Sequence, residues 1–274
     1  MIPFYTLLLP LRSFILSLFK MNQTYSQYTP DDQAVWRLLF ERQMAQLPGK
    51  ASQAYLDGIV ATGFRADRIP DFERDLNPRL KALTDWRVCA VEGLIPNRTF
   101  FELMANRNFP ATTWLRRRDQ LEYLPEPDMF HDTFGHVPML SNQAFCDFLA
   151  ALSRIALHHI ESEEAIAMIS RLYWYTVEFG LIQEGSELRI YGGGILSSLG
   201  ETTYSLYSPV PKRVPYNVEI LLKTPYIIDH FQEQYFVIDS YEQLYHSVPQ
   251  IESVLDELLQ MNRTGNPECV MDNV

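Results

Sequence analysis

The stretch YLPEPDMFHDTFGHVPML, residues 123–140, decides how this chain is read. Pro125 and Pro127 hold its approach extended, because each proline ring clashes with an α conformation in the residue before it. Asp128 then stands where a helix N-cap belongs, directly ahead of an apolar-periodic run. A helix starting there carries His131 in its first turn and His136 beyond its second. At about 100° per residue, a five-residue separation puts the two about 140° apart around an ideal α-helix. Zinc proteases place such a pair four apart on one face. A splayed pair can still meet on one ion near the helix N-terminal end, toward which side chains lean.

Two neutral imidazoles are an incomplete site. A carboxylate would give the two-His-one-carboxylate set of non-haem Fe(II) oxygenases, which leaves open positions on the metal. The candidate is Glu178, a lone acid in the apolar run RLYWYTVEFGLIQEG. Ser170, Trp174 and Glu178 recur every four residues and share a helix face. An ionised Glu there is costly unless it is paired or bound to metal, and pattern alone leaves a buried Arg and a metal both open. His158 and His159 end a helix, where imidazolium suits the dipole. His230 and His246 have no partner pattern, so these four histidines read as structural or surface residues.

The chain around this stretch is mainly α. Thr29-Pro-Asp-Asp32 and then AVWRLLFERQMAQL read as a capped amphipathic helix ended by Pro48-Gly49. Helical patterns follow at about 51–62, 71–83, 98–106, 141–159, 162–180, 195–206 and 240–261, with short β-like runs at 86–91, 187–192 and 234–239. No Gly/Ser-rich or Pro-rich linker divides the sequence, and one domain is expected. Gly192-Gly193-Gly194 lacks both the Lys-Ser/Thr of a phosphate loop and the Rossmann spacing, and reads as a turn.

With 274 residues, 47% of them hydrophobic, the chain can bury a large core. Its net charge of −11 and the short Arg116-Arg117-Arg118 run disfavour nucleic acid and anionic membrane as partners. Cys89, Cys146 and Cys269 are widely spaced, as expected of reduced thiols in a cytoplasmic protein. Residues 1–20, MIPFYTLLLPLRSFILSLFK, lack the basic start and cleavage site of a secretory signal, and Pro10 and Arg12 interrupt a membrane span. A polar N-terminus opens at Met21. Residues 1–20 are therefore expected to be an over-read start or disordered, and 21–274 the catalytic domain.

PEPDMFHDTFGHVPML, WYTVEFGLIQEG and YGGGILSSLGE together, in that order, closely resemble the pterin-dependent aromatic amino acid hydroxylases, above all the compact bacterial phenylalanine hydroxylases. The likeness is strongest from about Thr84 to Asp239. It implies a helical, basket-like catalytic domain with a few short strands, and Fe(II) held by His131, His136 and Glu178. It implies that L-phenylalanine, O₂ and a tetrahydropterin (tetrahydrobiopterin or a bacterial equivalent) give L-tyrosine and a hydroxylated pterin. By motif position, Arg116 matches the residue that binds the substrate carboxylate, and a guanidinium fork suits that task. Ser197 and Glu201 match positions behind the ligands and on the carboxylate side. Trp174 and Phe179 match the wall near the substrate ring. Phe100 matches the ring that stacks on the pterin, Gly93 and Ile95 its backbone contacts, and Tyr173 its other side. Asp132 stands where animal enzymes have a Glu near the pterin.

The sequence also departs from the animal pattern. Leu124 replaces a Thr near the substrate, and Pro110 a His near the pterin. Ile228 occupies a position that is apolar in phenylalanine hydroxylases and acidic in tyrosine hydroxylases; a buried phenol hydroxyl left unpaired there would cost roughly 1–3 kcal/mol. Phenylalanine is therefore the expected substrate, with tryptophan the alternative. No long C-terminal heptad helix follows and no amino-acid-sensing domain fits before residue 30, so a monomer or dimer is expected and not the animal type of tetramer.

Overall fold

Thr29 starts the first long helix. Its hydroxyl oxygen accepts the Asp32 N–H at 3.1 Å, and the Asp32 carboxylate accepts the Thr29 N–H at 2.8 Å. This reciprocal cap satisfies two donors that a helix start otherwise leaves unpaired. In this computed structural model, residues 22–121, 124 and 126–264 are described, so the apolar segment 1–20 lies outside them.

The helices are α1 (Pro30–Gln46), α2 (Gln53–Thr62), α3 (Asn77–Thr84), α4 (Asn97–Ala105), α5 (Gln143–His158), α6 (Glu163–Tyr173), α7 (Gly193–Leu196), α8 (Leu199–Tyr207), α9 (Val218–Lys223), α10 (Tyr241–His246) and α11 (Val248–Thr264). Strands β1 (Arg87–Val91) and β2 (Asn108–Thr112) pair in parallel across α4, with Arg87 opposite Asn108 and Val91 opposite Thr112. A second sheet has the order β4-β3-β6-β5, from β3 (Leu181–Glu184), β4 (Glu187–Ile190), β5 (Lys212–Pro215) and β6 (Gln234–Ile238). The β3–β4 pair is an antiparallel hairpin, whereas β6 runs parallel to both β3 and β5. The whole is one mainly helical domain around one principal core. None of the described helices is long and apolar enough to cross a membrane.

Several expected helices are interrupted, each for a local reason. The 71–83 pattern becomes a π-helical turn, Phe72–Leu76, followed by α3, because Pro78 has no N–H to continue the ladder. The 195–206 pattern splits where the Ser198 side chain caps α8 by accepting the Glu201 N–H at 3.3 Å. The 240–261 pattern splits at Ser247, ahead of Pro249 at the start of α11. The 162–180 pattern is α-helical only to Tyr173; Trp174–Glu178 is π-helical, and β3 begins beyond Gly180. Strands β2, β3 and β5 carry no clear period-two pattern, and prolines at 110 and 215 disguise two of them.

An aromatic cluster sits directly behind residues 126–140. Phe130 and Phe134 stack at 4.7 Å; Trp36 meets Phe130 edge-on at 5.5 Å, and Phe40 meets Phe134 at 5.4 Å. Such buried rings anchor the segment by area and by their edge-to-face geometry.

A candidate metal centre between two cavities

Asp128 is fully buried and begins the critical turn. Its carbonyl accepts the Asp132 N–H at 2.9 Å and its carboxylate the His131 N–H at 3.0 Å, as an N-cap does. From Phe130 to His136 the chain is then π-helical. The hydrogen bond of a π-helix spans five residues, so positions i and i+5 lie one above the other on successive turns. The expected splay of about 140° belongs to an ideal α-helix. With π winding, His131 and His136 share a face, and their Nε2 atoms are 3.3 Å apart.

Glu178 comes from the other π-helical turn. There the Phe179 N–H reaches back five residues to the Trp174 carbonyl at 2.9 Å. Its Oε2 lies 3.2 Å from His136 Nε2 and 3.6 Å from His131 Nε2. Among the described residues these three form the one His/Cys/Asp/Glu group whose ligand atoms converge, all within 4.8 Å. Such spacing suits donors of one ion with bonds of about 2.0–2.2 Å. The set is the facial two-His-one-carboxylate type.

Burial and charge act differently on the three groups. Burial disfavours charge on His131 and outweighs Glu178, so its pKa falls below 6.5 and the imidazole is kept neutral. Burial also opposes charge on Glu178, but His136 and His131 outweigh it and hold the carboxyl below 4.5. His136 feels the same burial, overcome by the Glu178 carboxylate, which raises it. Ser197 fixes the tautomer of His131. Its hydroxyl donates to the Gly193 carbonyl at 2.9 Å, so its oxygen accepts from His131 Nδ1 at 2.9 Å. The Nε2 lone pair of His131 is thereby left facing the centre.

Gly192-Gly193-Gly194 is more than the turn its sequence suggests. A Cβ on Gly193 would lie 2.4 Å from His136 Cε1 and Nδ1, and one on Gly192 would lie 2.4 Å from the Glu178 carbonyl oxygen. The glycines are the seat on which two of the candidate ligands, His136 and Glu178, rest.

Two cavities meet at this centre and share His131, Trp174 and Glu178. The smaller, about 370 Å³, is lined by Gly93, Ile95, Phe100, Asp132 and Tyr173, with Pro110 also on its wall. Phe100 meets Tyr173 edge-on at 5.6 Å. Asp132 is held by Thr112, whose N–H and hydroxyl donate to its Oδ2 at 2.7 and 2.9 Å, and burial raises its pKa. The larger cavity, about 620 Å³, is lined by Arg116, Leu124, Trp174, Phe179, Ser197 and Ile228. Ile228 stands at its mouth, 74% exposed. Both volumes suit small organic ligands.

Glu201 is placed differently from the other candidates. It lines neither cavity; its carboxylate accepts the Tyr235 hydroxyl at 2.7 Å and the Gln232 N–H at 3.2 Å. Sequence reading did not pick out Thr112, Gln232 or Tyr226. Only the three consecutive glycines carried a usable signal, that of close backbone approach. His159 approaches Asp256, and His230 pairs with Asp229, both away from the centre.

A convergent two-His-one-carboxylate set with space for two organic molecules is what mononuclear non-haem iron enzymes present. The chain belongs to the biopterin-dependent aromatic amino acid hydroxylase family, whose model matches residues 16–267. It is 49% identical over 206 residues to the phenylalanine-4-hydroxylase of Ralstonia nicotianae, across 75% of this chain and 65% of that protein. The match therefore spans just under two thirds of that relative's length. Crystal structures of Chromobacterium violaceum phenylalanine hydroxylase superpose closely. The form with iron(III) and oxidised 7,8-dihydrobiopterin gives a TM-score of 0.84 at 46% identity, covering 89% of this chain and 87% of that one. The form with iron and phenylalanine gives 0.82 at 45% identity, covering 88% and 87%.

Proposed function

We propose that this chain is a phenylalanine 4-monooxygenase, in which L-phenylalanine, O₂ and a tetrahydropterin give L-tyrosine and a hydroxylated pterin, with Fe(II) held by His131, His136 and Glu178. The observation that carries the reading is the convergence of these three donors where two cavities meet. When bound, the tetrahydropterin would supply two electrons and Fe(II) the open positions at which O₂ is activated, one oxygen atom going to the amino acid and the other to the pterin.

The residues of the chain supply binding and orientation. The Arg116 guanidinium has five N–H groups, of which Nε and Nη2 each spend one on Asp128 and Nη1 spends one on the Leu121 carbonyl. The two left over serve the amino acid carboxylate in the larger cavity. Trp174 and Phe179, with ring centroids 4.6 Å apart, form the wall against which the substrate ring lies. Phe100, Tyr173 and the backbone at Gly93 and Ile95 hold the pterin in the smaller cavity, and Asp132 offers a half-buried carboxyl beside it. Because both cavities open on His131 and Glu178, with His136 on the wall of the smaller one, the two organic molecules are brought to one ion from different sides.

The reading includes a cytoplasmic protein acting on small molecules as a monomer or dimer, consistent with its net charge of −11. The relatives compared give no support to tryptophan as the substrate. The test is tyrosine formation with O₂ uptake by iron-loaded protein given tetrahydropterin and phenylalanine, tyrosine or tryptophan. Tyrosine produced in proportion to oxygen consumed is expected. Loss of neither iron nor activity in Glu178→Ala would overturn the ligand assignment, and zinc-dependent hydrolysis without oxygen uptake would overturn the reaction class.

A further inference from the structure

Glu201 is buried, 6% exposed, in the first turn of α8 and three residues after its cap Ser198. At that spacing a Glu side chain commonly reaches back to the cap's own N–H. Here it turns away, and Oε1 accepts the Tyr235 hydroxyl and the Gln232 N–H. Gln232, 2% exposed, uses its amide at both ends. Its Oε1 accepts the Trp174 indole N–H at 3.0 Å, and its Nε2 donates to the Ile227 carbonyl at 2.8 Å. An indole has a single donor, so this one bond sets the turn of the ring. The ring then stacks on Tyr226 at 4.5 Å and meets its other neighbour, Phe179, at 4.6 Å with the planes tilted by 36°. Nearby, Phe231 lies so close over Gly200 that a Cβ there would come within 2.6 Å of its ring. The loop from Tyr226 to Gln232 is thus fastened to α8 on one side and to the indole on the other.

We propose that Glu201 is a positioning residue: through Gln232 it holds the Trp174 indole and the Ile227–Ile228 backbone where they shape the larger cavity for an aromatic side chain. It does so without touching the occupant, since it lines neither cavity. A carboxylate suits the task because a charged acceptor makes stronger hydrogen bonds than a neutral one, and Oε1 has to serve two donors. The inference rests on the larger cavity being the aromatic amino acid site.

The test reads the indole directly. In ¹⁵N-labelled protein the Trp174 indole signal is assigned by its loss in Trp174→Phe, and its hydrogen exchange is measured. Glu201→Ala is expected to speed that exchange at least tenfold, whereas Glu201→Gln, which keeps an acceptor oxygen, stays within about threefold of wild type. In turnover, Glu201→Ala raises the KM for phenylalanine roughly tenfold, equivalent to about 1.4 kcal/mol. kcat, pterin KM and iron content change little. In a Trp174→Phe background the same substitution adds almost nothing to KM. If Glu201→Ala does not fold, Glu201→Asp, whose shorter arm withdraws the acceptor, takes its place with the same expected release of the indole. Unchanged indole protection, or an undiminished KM effect in the Trp174→Phe background, overturns the proposal. Absence of phenylalanine turnover in wild type would instead overturn the functional reading, and the exchange measurement would still decide the role of Glu201.

Discussion

Asp128 grips Arg116 with both carboxylate oxygens, Oδ2 at 2.9 Å from Nε and Oδ1 at 2.8 Å from Nη2, while also accepting the His131 N–H at 3.0 Å. One buried carboxylate therefore fixes both the cation of the larger cavity and the first donor of the proposed metal centre. Burial favours its neutral form, but Arg116 outweighs this and holds the carboxyl below its usual range.

Replacing Asp128 by Ala strands a guanidinium that is only 8% exposed. Removing one partner of a buried ion pair costs about 3–5 kcal/mol. Asp128→Ala is expected to lose stability on that scale in urea unfolding and to raise the phenylalanine KM. A loss below about 1 kcal/mol would show that Arg116 finds another partner or water.

Ser197→Ala removes the acceptor at His131 Nδ1 and leaves all three donors in place. Loss of a group that orients a metal-bound histidine typically costs about 10–100-fold in affinity or activity. A competition titration of Fe(II) against a chelator should find weakening in that range, with the secondary structure by circular dichroism unchanged.

Gly193→Ala puts a methyl 2.4 Å from the His136 ring. Overpacking of this kind costs about 1–3 kcal/mol, and here the displaced group is a proposed metal donor. The variant should purify with less iron per chain than wild type, although no donor atom is changed. Full iron occupancy would mean that α7 can retreat from His136.

Glu201 also predicts a pH dependence. Burial raises its pKa above 4.5, more than Tyr235 and Gln232 lower it. The folded protein therefore holds this proton to a higher pH than the unfolded chain does. Relative to Glu201→Gln, wild type is expected to lose stability as pH rises from below 4.5 through the raised value, and to change no further above it. Urea unfolding of the pair at several pH values gives the difference curve; a flat difference would show that folding leaves the Glu201 pKa unshifted.

The sequence by itself singled out the candidate site residues and the family they resemble. His131, His136 and Glu178 stood out as two imidazoles and a lone acid in apolar runs, a pattern that alone left metal and ion pair both open; the three ordered motifs around them, resembling one family, pointed to iron. Helix starts were legible too where the chemistry is local, as at Thr29 and Asp128, whose side chains bond N–H groups within four residues. What only the tertiary structure decided is how those residues meet. Nothing in the composition of FHDTFGH announces a π-helix. The π-helical turn is packed by tertiary contacts: Phe130 and Phe134 meet Trp36 and Phe40 of α1, and the carbonyl of Phe134 accepts the Tyr55 hydroxyl at 2.7 Å. The glycine seat under His136 and the Glu201–Gln232–Trp174 chain depend on residues far apart in sequence, so no local pattern records them. Hydrogen-bonding needs and apolar spacing are properties of a short window, whereas a five-residue turn or a 2.4 Å approach exists only once distant surfaces have packed.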